Sequence, residues 1–337
     1  MKFGSVPIDE SIGGIVAHAV KRDGLVLKKG ETVGSAHLEA LRSAGVSAIV
    51  VAQLEGDDIG EDEAAGRLAR AASGDHVRVE KPFTGRSNLF AECAGVLVVD
   101  GSAIDAINSI DERVTVATLP NYRAVVQGEM IGTVKIIPFA APSSVLEQAI
   151  ARATASRIRI APFLALKVGV ISTLLPGLKT SVVDKTLRVM GERLEPAGAT
   201  IVADVRVPHD PDSLRKAIVD VAPASDIVVV FGASAITDRR DVIPAAVESA
   251  GGRIEQLGMP VDPGNLLLIA SLDGKPLLGA PGCARSPKEN GFDWVLQRLL
   301  AGIPVTAADI RRMGVGGLLM EIVSRGQPRE GGGDGHE

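Results

Sequence analysis

From Leu166 onward the apolar and polar positions alternate between two periods. Val168 to Thr173 is a short, almost unbroken apolar run, and the stretch from Val182 puts Val183, Leu187, Met190 and Leu194 on one helical face. Strand spacing returns at Thr200 to Val205, followed by a helical pattern at Ser213 to Val221, a strand at Asp226 to Phe231 and a second helical pattern at Val242 to Ala250. Continuous apolar runs mark strands covered on both faces, and apolar residues three and four apart mark amphipathic helices. This alternation predicts right-handed βαβ crossings and a mostly parallel sheet between two helical layers, a three-layer α/β/α domain.

The first half is less regular. Ile12 to Val20, Leu25 to Val33 with a turn at Lys28-Lys29-Gly30, a helix over His37 to Ala44 stopped by Gly45, and a strand at Val46 to Val51 make a compact α/β module. Acidic residues from Glu55 to Glu63 crowd the start of a helix, where the unpaired N–H groups and dipole favour them. The pattern then predicts strands at Val77, Gly95, Val114 and Gly132, and helices over Ala103 to Ile110 and Ser143 to Ala155. The expected organisation is an N-terminal module at 1–75, a middle α/β region at 76–165, the three-layer domain at 166–323 and a disordered tail at 324–337. The first two form a smaller, divergent α/β region ahead of the main domain.

Composition narrows the function. With one Trp, one Tyr and seven Phe among 337 residues, the cores must be aliphatic. A formal charge of −5 gives no reason to expect nucleic-acid binding, which relies on clustered Lys and Arg. No apolar segment reaches the roughly 20 residues that span a bilayer, and the first ten residues make a poor signal peptide, so no membrane and a cytoplasmic location are expected. Cys93 and Cys283 form no CxxC pair.

Candidate chemistry gathers where strands end. Ile227 to Phe231 breaks into Gly232-Ala233-Ser234, with Asp238 and Asp241 close behind; polar loops after parallel strands are where open α/β sheets bind ligands. Asp238 and Asp241 are three residues apart, so helical geometry would bring them toward one side. With Asp184 they form a candidate hard-cation site, although capping of a helix explains Asp184 equally well. Cys283 is either a thiolate favoured by Arg285 or a steric, buried residue. In the first half, Lys81, Thr84, Gly85, Arg86, Ser87 and Asn88 read either as an anion-binding loop leading into a helix or as an ordinary cap. Asp58, Glu61 and Asp62 are helix-start acids or reach a magnesium ion or a partner subunit, and His18 reads as a structural or surface histidine rather than a metal ligand.

Across Leu166 to Gly302 these motifs resemble, in order and spacing, the molybdopterin-binding domain family of molybdenum cofactor biosynthesis, especially its molybdenumtransferase branch. The resemblance rests on Thr173, on Asp184-Lys185-Thr186 in place of an Asp-Ser-Asn segment, and on Gly232-Ala233-Ser234 with Asp238 and Asp241 in place of a Gly-Gly-x-Ser loop and its acids. It continues with Pro263-Gly264-Asn265 for a Pro-Gly-Lys element, and with Pro281-Gly282-Cys283-Ala284-Arg285-Ser286 for a Pro-Gly-Asn-Pro-x-Ser loop. It implies that Thr173, Lys185, Thr186, Gly232, Ala233, Ser234, Pro263, Gly264, Asn265, Pro281, Gly282 and Ser286 hold molybdopterin or its adenylylated form. Asp184, Asp238 and Asp241 would hold Mg2+ and carry catalysis, with molybdate as substrate. A pterin phosphate ligand, a molybdoenzyme or cofactor-biosynthesis partner and a homo-oligomer complete the implied associations. The substitutions at Ala233, Asn265 and Cys283-Ala284 keep open a second function, a non-enzymatic cofactor carrier or chaperone.

Overall fold

The computed structural model describes residues 1–177 and 179–319. The tail expected at 324–337, and Leu178 in the loop after Leu174, lie outside the described residues. The chain divides into two compact units, Met1–Pro162 and Phe163–Glu337.

The first unit holds two separate cores. Strands Lys2–Pro7, Ala48–Gln53 and Ile15–Val16 form an antiparallel sheet backed by helix Ser35–Ser43, with Val16, Leu27, Leu41 and Val51 buried together. The other core joins helices Glu61–Ala72 and Ser143–Ala155 to a four-stranded antiparallel sheet built from Val114–Thr118, Met130–Ile136, Arg86–Ala91 and Val77–Val79. One expectation needs correction here. No helix follows Lys81; Phe83 and Arg86 close a tight hairpin turn, and Arg86–Ala91 is a strand. The reason is legible in the residues, since Ser87, Leu89 and Ala91 are buried while the intervening positions are not, the period of two of a half-buried strand.

The second unit contains a six-stranded sheet. Its elements are β1 (Lys167–Leu174), α1 (Thr180–Leu194), β2 (Thr200–Pro208), α2 (Pro211–Val221), β3 (Ile227–Phe231), α3 (Val242–Ser249), β4 (Arg253–Leu257), β5 (Leu268–Leu272), β6 (Lys275–Ala280), α4 (Gly291–Leu300) and α5 (Ala307–Arg311). The order is β2-β1-β3-β6-β5-β4, parallel through β6 and antiparallel from β6 to β4. The antiparallel edge comes from a tight hairpin: Leu272 pairs with Lys275 across Asp273-Gly274, both at positive φ. Asp-Gly between two apolar runs favours such a turn.

Alternation along the central strands divides the helices between two faces. Val168, Val170, Val229, Phe231 and Leu278 share a core with Met190 and Leu194 of α1 and with Phe292, Val295 and Leu296 of α4. Ile171, Val228, Val230 and Leu277 share the opposite core with Leu214 and Ile218 of α2 and Ile243 and Val247 of α3. All five β3 side chains are buried, whereas β2 alternates between exposed and half-buried positions as an edge strand must. The unit is the expected three-layer α/β/α domain with a mostly parallel sheet.

Candidate anion-binding edge

Strand registers bring five loops to one edge of this sheet. Leu174 lies opposite Pro208, Ser172 opposite Phe231, and Phe231 opposite Ala280, so β1, β2, β3 and β6 all end there. Leu268 faces both Gly279 and Leu257, which adds the β4–β5 connection. Ligands of open α/β sheets bind outside this carboxyl edge.

The loop after β3 is gripped from both sides of the sheet. On the α2/α3 side, the Ala233 N–H donates to Thr173 Oγ1 at 2.8 Å. Thr173 Oγ1 lies 2.8 Å from His209 Nδ1, and His209 Nε2 lies 2.8 Å from the exposed Ser234 Oγ. On the α1/α4 side, Arg285 donates to the Gly232 carbonyl at 2.9 Å and to Thr186 Oγ1 at 2.8 Å, its guanidinium lying over the Phe231 ring. Gly232 is required by close approach, because a Cβ there would sit 2.7 Å from the Ser234 carbonyl and 2.9 Å from Ile243.

Two arginines hold the loop after β6, and they differ in charge balance. Arg193 pairs with Asp293 at 2.5 Å and donates to the Ala284 and Ser286 carbonyls at 2.8 and 2.7 Å; both side chains of the pair are about nine-tenths buried. Asp293 also caps α4 by accepting from Asn290 N–H. Arg285 has no carboxylate partner among the described residues, and burial alone pushes its guanidinium below the usual range. An arginine stays cationic at neutral pH, so a part-buried positive charge faces this edge without a counter-ion among the described residues.

The three expected metal ligands are held apart. Asp184 lies in the second turn of α1 rather than at its start, and it accepts from Arg206 at 2.8 Å. Asp238 is chelated by Arg240 at 2.7 Å, which holds its carboxyl below the usual range. Asp241 caps α3, accepting the Val242 N–H at 2.8 Å and the Thr237 N–H at 3.3 Å. The helix therefore begins after Asp241, and the pair does not sit on a common helical face as the spacing suggested. The described residues contain no group of three or more His, Cys, Asp or Glu side chains placed to hold a metal.

The remaining candidates divide by position. Lys185 is exposed on α1, whereas Thr186 is buried against Arg285. Pro281 is buried, Gly282 begins a short 3-10 turn, and Ser286 accepts from the Lys288 N–H. Pro263-Gly264-Asn265 lies at the same edge but three strands from β1, roughly 14 Å away at strand spacing. It packs instead on the start of α4: Pro263 accepts the Gly291 N–H at 2.9 Å, and a Cβ on Gly264 would meet Gly291 backbone at 2.7 Å. Burial pushes the Cys283 thiol up, opposite to the shift a thiolate needs. In the first unit, Asp62 accepts the Gly85 N–H, Glu61 faces Lys135 at 3.5 Å, and Asp58 accepts from Glu55 N–H.

Sequence reasoning missed His209, Arg193 and the role of Arg285. Ending the second strand at Val205 hid His209, because β2 runs on to Pro208 and delivers the histidine to the edge. Ser172 on β1 adds a buried Oγ with no hydrogen-bond partner among the described residues at this strand end.

A three-layer α/β/α fold thus gathers hydrogen-bond donors and a guanidinium with no carboxylate partner among the described residues at its carboxyl edge, where α/β domains of this class bind ligands. Residues 169–309 match the family described as "Probable molybdopterin binding domain". Residues 5–53 match a family described as a domain of unknown function. Among solved structures, the chain is similar to a molybdopterin biosynthesis MoeA protein from Pyrococcus horikosii, at 16% identity over 89% of this chain and 75% of that one, with a TM-score of 0.31. It is also similar to a CinA protein of unknown function from Thermoplasma acidophilum, at 18% identity over 36% and 90% of the two chains, with a TM-score of 0.30. A molybdopterin biosynthesis enzyme MoaB from Thermus thermophilus matches at 16% identity over 41% and 98%, with a TM-score of 0.30. At these scores the likenesses decide nothing about function. No curated protein matches the chain. No helix among the described residues is long and apolar enough to cross a membrane.

Proposed function

We propose that the second unit binds the phosphate-bearing pterin of the molybdenum cofactor at the ends of β1, β2 and β3, and carries it without magnesium-dependent molybdate transfer. The observation that supports binding is Arg285, a part-buried cation with no carboxylate partner among the described residues, gripping the same loop that offers Ser234. A phosphate group supplies the missing counter-charge and several acceptor oxygens. Thr173 and Arg285 orient the Gly232-Ala233-Ser234 loop from its two sides, and the Gly232 backbone allows close approach.

Magnesium fits less well. A shared ion needs oxygen ligands converging from Asp184, Asp238 and Asp241, and each of these is already engaged by an arginine or a backbone N–H. Transfer from an adenylylated pterin needs charge stabilisation beyond ground-state binding, and these carboxylates are not arranged to orient a metal that would supply it. The carrier reading follows.

Anaerobic calorimetric titration of the full chain with molybdopterin should give saturable binding near one equivalent, unchanged by magnesium. Adenylylated pterin with molybdate and magnesium should bind without catalytic release of adenosine monophosphate. A folded chain with no binding heat overturns the ligand, and product beyond one equivalent overturns the carrier.

A further inference from the structure

Hydrogen-bond directions in the Thr173, His209 and Ser234 chain carry information that distances alone do not. Thr173 is 1% exposed, and its Oγ1 accepts the Ala233 N–H. Among the described residues, the acceptor within reach of its own O–H is His209 Nδ1, at 2.8 Å. A buried hydroxyl proton left without an acceptor is costly, so Thr173 donates to Nδ1. A neutral imidazole carries one N–H, which is thereby placed on Nε2. Nε2 then donates to Ser234 Oγ at 2.8 Å, and the Ser234 proton is turned away from the ring.

This order separates two chemistries that the same three residues could otherwise support. A serine activated as a nucleophile needs a ring lone pair facing its Oγ, with the base held by a third group. Here that ring position is the N–H, so His209 is in the wrong tautomer to take the Ser234 proton. We infer that His209 is a positioning residue that turns the Ser234 hydroxyl proton away from the ring and toward the ligand side, where an acceptor oxygen, that of an ionised phosphate, receives it. The ligand part of this inference rests on the pterin-phosphate reading; the direction of the relay does not.

Ring-nitrogen NMR of the uniformly 15N-labelled full chain tests the direction without ligand. At a pH of about 8, above the ordinary imidazole range, His209 should show the Nε2–H tautomer, its signals assigned by their loss in His209→Gln. Thr173→Val should give a mixture of tautomers, and Thr173→Ser should restore the single form. An Nδ1–H tautomer in the unsubstituted chain overturns the relay whether or not Thr173→Val folds.

The ligand arm compares molybdopterin with the same pterin lacking its phosphate. Removing the phosphate should weaken binding to the unsubstituted chain about tenfold or more, and Ser234→Ala should shrink that difference several-fold. His209→Gln should largely keep it, because the glutamine amide N–H reproduces the donor at Nε2. An equal phosphate effect with and without the Ser234 hydroxyl overturns the ligand assignment. No binding of either pterin, with the Nε2–H tautomer present, removes the pterin reading and leaves the relay supported on its own.

Discussion

Two regions around the loop after β6, the start of α4 and the loop after β3, are tied to it by the same residue type for different ends. Arg193, reaching in from α1, is buried with Asp293 and satisfies two loop carbonyls, so its charge is closed within the fold. Arg285, within the loop, grips the Gly232 carbonyl and Thr186 with no carboxylate partner among the described residues. A buried ion pair with all its hydrogen bonds made is a structural device; a part-buried cation without a counter-ion asks for an anion from outside. The contrast also shows why a motif alone misleads, since Pro263-Gly264-Asn265 shares the edge yet is closed against α4.

Arg193→Ala should have the largest effect on stability. It strands Asp293 as an unpaired buried carboxylate, a loss of about 3–5 kcal/mol that should lower the melting midpoint of the second unit by on the order of 10 °C. Calorimetry of the full chain would register it as a shift in one transition. If Arg193→Ala melts within a degree or two of the parent, the pair is not the anchor described.

Arg285→Met keeps the length and apolar contact over Phe231 but removes the charge. Its stability should change by about 1 kcal/mol or less, while pterin affinity falls roughly ten- to a hundred-fold, the scale of a lost charge-assisted hydrogen bond. A variant that loses stability as Arg193→Ala does, with affinity intact, would erase the distinction between the two arginines.

Smaller effects sharpen the account of the acids. Asp241→Ala should cost about 1 kcal/mol through loss of the α3 cap, whether or not magnesium is present, as urea titration would show. A cost that grows with added magnesium would instead make Asp241 a ligand. Asp210 caps α2 beside His209, and the Ser213 N–H and hydroxyl hold its carboxyl below the usual range. A depressed folded-state value gives stability that is present above the unfolded value of 3.8 and is lost as the pH falls through the folded one. Asp210→Asn keeps a capping oxygen but not the charge, so its urea midpoint should fall slightly below the parent's near neutral pH and converge with it below about pH 4.

Much of the fold was legible because β1, β3, α1 and α2 carry unmixed periods. The β4–β6 meander was not read: Arg253–Leu257 is half-buried without clear alternation, and the Asp273-Gly274 turn went unused although its chemistry is plain. At the site, Thr173 and Gly232-Ala233-Ser234 announced themselves by following apolar strand runs. His209 did not, because a lone histidine after an edge strand has no periodic signature and gains meaning only when Thr173 and Ser234 arrive from other strands. Spacing in sequence says nothing about the arginines that engage Asp184 and Asp238.

A crystal structure of the full chain with molybdopterin tests the central claim most directly. The account predicts phosphate oxygens about 2.7–3.2 Å from Ser234 Oγ and from the Arg285 guanidinium, with Asp238 still held by Arg240. A pterin bound elsewhere, or its phosphate held through a metal on Asp184, Asp238 and Asp241 with Arg285 unengaged, would contradict it.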